Sequence, residues 1–138
     1  MGPIAHKTAG WETRLTEQIK GARGRPFSWG EHDCWTWAAD VVAALTQTPS
    51  AADTWRGLYD SERSAAKVMR GLGFETRAQA VASRLGDPLP SPRFAQRGDV
   101  VLGPDQAVGI CIGASCAFVG PDGLIELPLA SCAAAWRV

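Results

Sequence analysis

The segment Trp29-Gly30-Glu31-His32-Asp33-Cys34-Trp35-Thr36-Trp37 holds the residues best suited to chemistry. Asp33 is a good helix N-cap, because its carboxylate can accept the free N–H groups of a first turn. That places Cys34 in the first turn itself. There the helix dipole and unpaired N–H groups favour a thiolate over a thiol, which is the setting of a nucleophilic cysteine. Packing of Cys34 as a small apolar residue beneath Trp29 or Trp37 is the competing reading, and local sequence does not separate the two. Asp33 could also orient a catalytic group, but capping is the simpler role.

A cysteine nucleophile needs a base that takes its proton and returns it to the leaving group. The chain has 2 histidines. His6 falls in an N-terminal tail expected to be flexible over 1–9. His32 lies two residues before Cys34, and side chains two apart at a helix start diverge. His32 is therefore expected to be a loop residue that donates a hydrogen bond or meets solvent. The other cysteines are Cys111, Cys116 and Cys132. They form no C-x-x-C pair, so their spacing matches no zinc pattern. Buried structural thiols are expected. Ligation of a metal or cluster is the alternative and would need a partner to complete the site. No cofactor is implied.

The elements that must position these residues follow from periodicity. Trp11, Leu15 and Ile19 recur every four residues and predict a first helix, stopped by Gly21, Gly24 and Pro26. A second runs from Asp33 to about Thr46 with Trp37, Val41 and Leu45 as its buried stripe. A third spans Ser61 to Leu72 and a short fourth Thr76 to Leu85. The period then changes. Val100–Leu102, Ala107–Ile112 and the pair Ala117–Val119 and Leu124–Leu127 around Gly120-Pro121-Asp122-Gly123 predict strands, the last two as a hairpin. Ala135–Val138 is the candidate final strand. Helices first and a meander afterwards predict an α+β domain with an antiparallel sheet.

Size and charge narrow the function. The 138 residues fit one domain. The 14 basic and 14 acidic residues balance, which argues against a nucleic-acid partner. No stretch approaches the roughly 20 apolar residues that span a bilayer, and Met1 to Gly10 lacks the apolar core of a secretory signal. The 6 tryptophans are expected as core and interface anchors rather than as a sugar-binding platform. Asp99, after Gly98, is expected to bond nearby backbone N–H groups. Arg56 and Asp60 are spaced for a local ion pair, and Glu12 with Arg14 for a solvated face.

The order Trp29-Gly30-x-x-Asp33-Cys34, then Arg97-Gly98-Asp99-Val100-Val101, then Ala107-Val108-Gly109-Ile110-x-Ile112-Gly113 resembles the NlpC-type cysteine peptidases, whose core is papain-like. The resemblance implies that Cys34 stands at the nucleophile position. It also implies that Ala107 stands where the family carries its basic histidine. Alanine moves no proton, so the resemblance implies a vestigial site. A second resemblance spans most of the chain. Phe27 to Asp40, Arg56 to Asp60, Arg97 to Val101 and the closing Ala135-Trp136-Arg137-Val138 are similar to small phage and prophage proteins encoded among tail genes. This implies a structural component of the distal tail (tip or hub region) of a long-tailed bacteriophage. Its implied partners are other tail-tip and hub proteins, with no nucleic acid and no membrane insertion. It would reside in the virion and, during assembly, in the host cytoplasm. The alternative is an active cysteine peptidase or amidase with Cys34 as nucleophile, in contact with peptidoglycan during entry.

Overall fold

A computed structural model describes residues 6–138. These residues form four α-helices, α1 (Trp11–Ala22), α2 (Cys34–Thr46), α3 (Glu62–Gly71) and α4 (Arg77–Leu85). Five strands follow, β1 (Val100–Leu102), β2 (Val108–Cys111), β3 (Ser115–Gly120), β4 (Gly123–Pro128) and β5 (Ala134–Trp136). The sheet is antiparallel throughout with strand order β4-β3-β2-β1-β5. The chain is an α+β domain, helices first and sheet second, as its periodicity predicts. None of the helices is long and apolar enough to cross a membrane.

Sequence signals account for the helix boundaries. Asp33 caps α2 by accepting the N–H of Thr36, Ser61 caps α3 in a reciprocal capping box with Ser64, and Thr76 caps α4. Each cap satisfies an N–H group that the first helical turn leaves unpaired. Helix α1 continues through Gly21 for one more residue. Gly21 costs it less than about 1 kcal/mol, and the fully packed Leu15 and the nearly buried Ala22 hold the helix on the core.

Alternation along the strands gives the sheet two different faces. Val100, Leu102, Val108, Ile110, Ala117 and Val119 turn toward the helices and pack with Trp37, Val41 and Leu45 of α2 and Leu15 of α1. The predicted α2 stripe is therefore the centre of the main core. Val101, Cys111, Cys116, Phe118 and Ala135 occupy the opposite face. They are covered by Leu89 and Ala95 from the connector after α4, and by Leu127, Leu129 and Cys132. Gly109 makes this second layer possible. A Cβ there would fall 2.5 Å from the Phe118 ring, so only glycine lets that ring lie flat against β2. A third, smaller cluster joins Trp35, Ala52, Trp55, Tyr59, Ala65, Met69 and Ala80 under α3 and α4.

Two local expectations are corrected. Lys7 and Thr8 are not part of a loose tail. Lys7 Nζ reaches Asp99 at 3.3 Å and the Val138 carbonyl at 3.0 Å, and the Thr8 N–H donates to the Leu45 carbonyl. Residues 1–5 of the predicted tail lie outside the described residues. Arg56 does not pair with Asp60. Its guanidinium forks onto Asp40 at 2.7 and 3.1 Å and touches Asp53 at 3.4 Å. The turn at Gly57, whose φ is 77°, carries the chain away from helical geometry, so the four-residue spacing never brings Asp60 under Arg56.

Candidate functional site

The entry to α2 is built by a tight turn. Ser28 and His32 exchange backbone hydrogen bonds of 2.9 and 2.8 Å, and Gly30 sits at its tip with φ 79°. A Cβ on Gly30 would lie 2.5 Å from the Tyr59 carbonyl oxygen. Glycine thus lets the 28–32 turn seat against the 57–59 segment, where the Gly57 N–H donates to the Gly30 carbonyl at 3.0 Å.

Asp33 does more than cap. One oxygen accepts the Thr36 N–H at 2.8 Å; the other accepts the Gly30 N–H at 2.9 Å and the Tyr59 hydroxyl at 2.6 Å. The network continues, with Thr36 Oγ1 3.2 Å from the Tyr59 hydroxyl and accepting the Trp55 indole N–H at 3.1 Å. Asp33, Thr36, Trp55 and Tyr59 are all buried. Burial and then the Asp33 contact hold the Tyr59 phenol well above its ordinary pKa. Trp35 stacks on Trp55 at 3.8 Å, and Trp29 meets Tyr59 edge-on at 6.4 Å. Sequence reasoning identified Asp33 as the cap but did not find Thr36, Trp55 and Tyr59 as its partners. The Arg56-to-Asp60 motif contains Tyr59, and that was the available signal.

Cys34 lies on a groove of about 370 Å³. Trp29 and Tyr59 line it beside the thiol, Met69 and Phe74 come from α3 and its exit, and Asp105 and Gln106 lie across it. Cys34 as a residue is half-buried. Burial pushes its pKa up, and this outweighs the Val108 N–H and the Arg77 charge, which favour the thiolate; neighbouring Asp33 reinforces the upward push. The helix-start position thus brings Cys34 against the beginning of β2, one residue from Ala107. The Ala107 methyl, however, packs with the layer on the far face of the sheet. The residues of this loop that line the groove are Asp105 and Gln106. Both are non-glycine residues with positive φ, 59° and 65°, and Arg77 Nη1 donates to the Gln106 carbonyl at 3.1 Å. Two successive left-handed residues are costly, about 1–3 kcal/mol each. Nothing in the sequence beyond Pro104 signals them.

No imidazole lines the groove among the described residues. His6 is exposed and remote in sequence. His32 corrects its expectation. It neither meets solvent nor donates from Nε2; it is 2% exposed and that nitrogen has no partner. It occupies the position before the cap, which turns inward where the chain enters a helix. Burial and the nearby Arg25 charge lower its pKa. The folded protein therefore resists a proton that the unfolded chain accepts near pH 6.5. This contribution to stability is fully present above pH 6.5 and is lost as pH falls. Between pH 7.5 and 5.0 the urea midpoint of the wild type is expected to drop, and His32→Leu to show a shallower drop. Equal slopes in the two proteins would remove His32 as the cause.

The remaining predicted residues separate. Cys111, Cys116 and Cys132 are buried on the far face, away from the groove. Among the described residues, no group of three or more His, Cys, Asp or Glu side chains is disposed to hold a metal ion. None of the six tryptophans is exposed. Four of them, Trp35, Trp37, Trp55 and Trp136, are buried as core anchors, and Trp29 lines the groove.

The molecule is thus a helices-then-sheet α+β domain with a cysteine at a helix start and, among the described residues, no imidazole in its groove. The chain belongs to the family described as "Domain of unknown function (DUF6950)", whose model matches residues 6–138. No curated protein matches the chain. No solved structure matches it.

Proposed function

We propose that this chain is a catalytically silent, papain-like NlpC-type domain that serves as a structural component of the distal tail of a long-tailed bacteriophage. One observation carries the silent half of this reading: the Cys34 sulfur has a backbone N–H and Arg77 for neighbours, but no imidazole in its groove. A thiol held above its ordinary pKa, without a base, supplies almost no nucleophile at neutral pH. The placing of a helix-start cysteine against an antiparallel sheet supports the peptidase ancestry. The tail assignment rests on the resemblance of Phe27 to Asp40, Arg56 to Asp60, Arg97 to Val101 and Ala135 to Val138. Apolar surface for partners is available at Leu58 and Phe94, 64% and 55% exposed.

Alkylation tests the silent site. Cys34 is expected to react with iodoacetamide at pH 6–7 no faster than free cysteine, with the rate rising only at higher pH than for the free thiol. Rapid labelling at pH 6, mapped to Cys34, would instead support the alternative, an active cysteine peptidase or amidase acting on peptidoglycan. That alternative draws on the open groove and on the strained Asp105-Gln106 turn beside the thiol. The tail role is tested by co-purification with hub and tip proteins encoded beside it. Recovery of a complex is the expected result, and a protein that stays monomeric with each of them would overturn it.

A further inference from the structure

Three of the four cysteines meet on the face of the sheet that the groove does not use. Cys111 of β2 stands directly across from Cys116 of β3. Ile112 and Ser115 close the next hydrogen-bonded step, which makes Cys111 and Cys116 a non-hydrogen-bonded pair, the closer kind in an antiparallel ladder. Cys132 arrives from the turn after β4 and places its sulfur 3.8 Å from that of Cys116. Both are free thiols, in van der Waals contact. Cys111 and Cys116 are fully buried and Cys132 is 8% exposed. The three cysteines share one buried cluster with Val101, Phe118 and Ala135.

We propose that Cys111, Cys116 and Cys132 form a peroxide-responsive thiol relay that closes a disulfide between Cys116 and Cys132. The oxidant is a hydroperoxide as small as hydrogen peroxide, because the buried sulfurs admit little else. The Cys111 thiol donates to the Gly113 carbonyl at 3.3 Å. The Cys116 thiol across the ladder lowers its pKa, while those of Cys116 and Cys132 are raised, so Cys111 is the first of the set to ionise. That thiolate attacks the O–O bond. A sulfenic acid forms and hydroxide leaves, to be protonated to water. The Cys116 sulfur then attacks the Cys111 sulfur, and the sulfenic oxygen leaves with the Cys116 proton as a second water. A disulfide between directly opposed strand residues lies at the short limit of allowed Cα separations. Cys132 therefore gives up its proton, which balances the one taken up by the hydroxide, and attacks Cys116, and Cys111 leaves as the lower-pKa thiolate it was at the start. In total two thiols lose two electrons, one peroxide becomes two waters, and Cys111 is regenerated.

The bond would fasten the 129–131 turn, which packs on the 92–94 turn of the connector, to β3. In a reducing setting that cover is held only by apolar contacts and backbone bonds such as Leu129 N–H to the Ala114 carbonyl. This inference is independent of the tail assignment and of Cys34.

The full chain is treated with hydrogen peroxide, then mapped without reduction. Expected are a fall from four to two titratable thiols, a peptide joining Cys116 to Cys132, and a melting temperature several degrees higher that dithiothreitol reverses. Cys111→Ser is expected to slow closure at pH 7 at least ~tenfold. Cys132→Ser is expected to stop at a Cys111–Cys116 bond or a trapped sulfenic acid, while Cys34→Ser changes nothing. No loss of thiols, a stable Cys111–Cys116 bond in the wild type, or only bonds between molecules would each overturn the proposal.

Discussion

Asp33→Ala is expected to cost about 3–4 kcal/mol of stability in urea unfolding. The cap bond to Thr36 accounts for about 1 kcal/mol of that. The remainder comes from the donors left behind: the Gly30 N–H and the Tyr59 hydroxyl both end on the lost oxygen in a buried site. A buried donor without an acceptor costs about 1–3 kcal/mol. Asp33→Asn keeps the cap oxygen but turns an amide donor toward the Gly30 N–H, so about half the loss is expected. Tyr59→Phe should cost less again, because Asp33 keeps its two backbone partners. The double variant Asp33→Ala/Tyr59→Phe should be more stable than the two single losses added together, since the orphaned hydroxyl is gone. A loss below about 1 kcal/mol for Asp33→Ala would show that the network is not what seats α2.

Asp99→Asn is expected to be comparably damaging, at about 3 kcal/mol. Its carboxylate is fully buried and accepts from Gln96 N–H at 2.9 Å, Val138 N–H at 3.0 Å, Arg137 Nε at 2.8 Å and Lys7 Nζ at 3.3 Å. It therefore ties the segment before α1, the entry to β1 and the exit from β5 into one knot. Removing one member of a buried pair costs about 3–5 kcal/mol. The lower end applies here, because Arg137 is 38% exposed and solvent screens part of its attraction. Lys7→Met and Arg137→Met should each cost less than Asp99→Asn, because the other cation and the Gln96 and Val138 N–H groups still hold the carboxylate. Equal losses for all three variants would place the energy in the ion pairs rather than in the carboxylate's backbone bonds.

These two aspartates show how far sequence reading reaches. For Asp33 the cap is legible because it involves residues three apart, and local geometry fixes that distance. Its bond to Tyr59 spans 26 residues and depends on how the 57–59 segment seats against the 28–32 turn. Asp99 was legible as a turn residue bonding a neighbouring N–H, which Gln96 supplies. Its bonds to Lys7, Arg137 and Val138 join parts of the chain that only the closed sheet brings together. His32 misled for the same reason. Its polarity suggests solvent, but the turn ahead of α2 folds it inward.

What the sequence determined by itself was the local grammar: four helices, the Asp33 cap, the strand order along the chain, the α2 stripe of Trp37, Val41 and Leu45, and Cys34 in a first turn. Each of these is set by neighbours within a few residues, where backbone geometry leaves few choices. The tertiary structure alone decided that Cys34 meets Val108 with no imidazole in its groove, that Ala107 turns to the far face, and that three distant cysteines touch. Those outcomes depend on strand pairing and on which face each side chain takes. One residue of register reverses that choice, and composition and spacing carry no record of it.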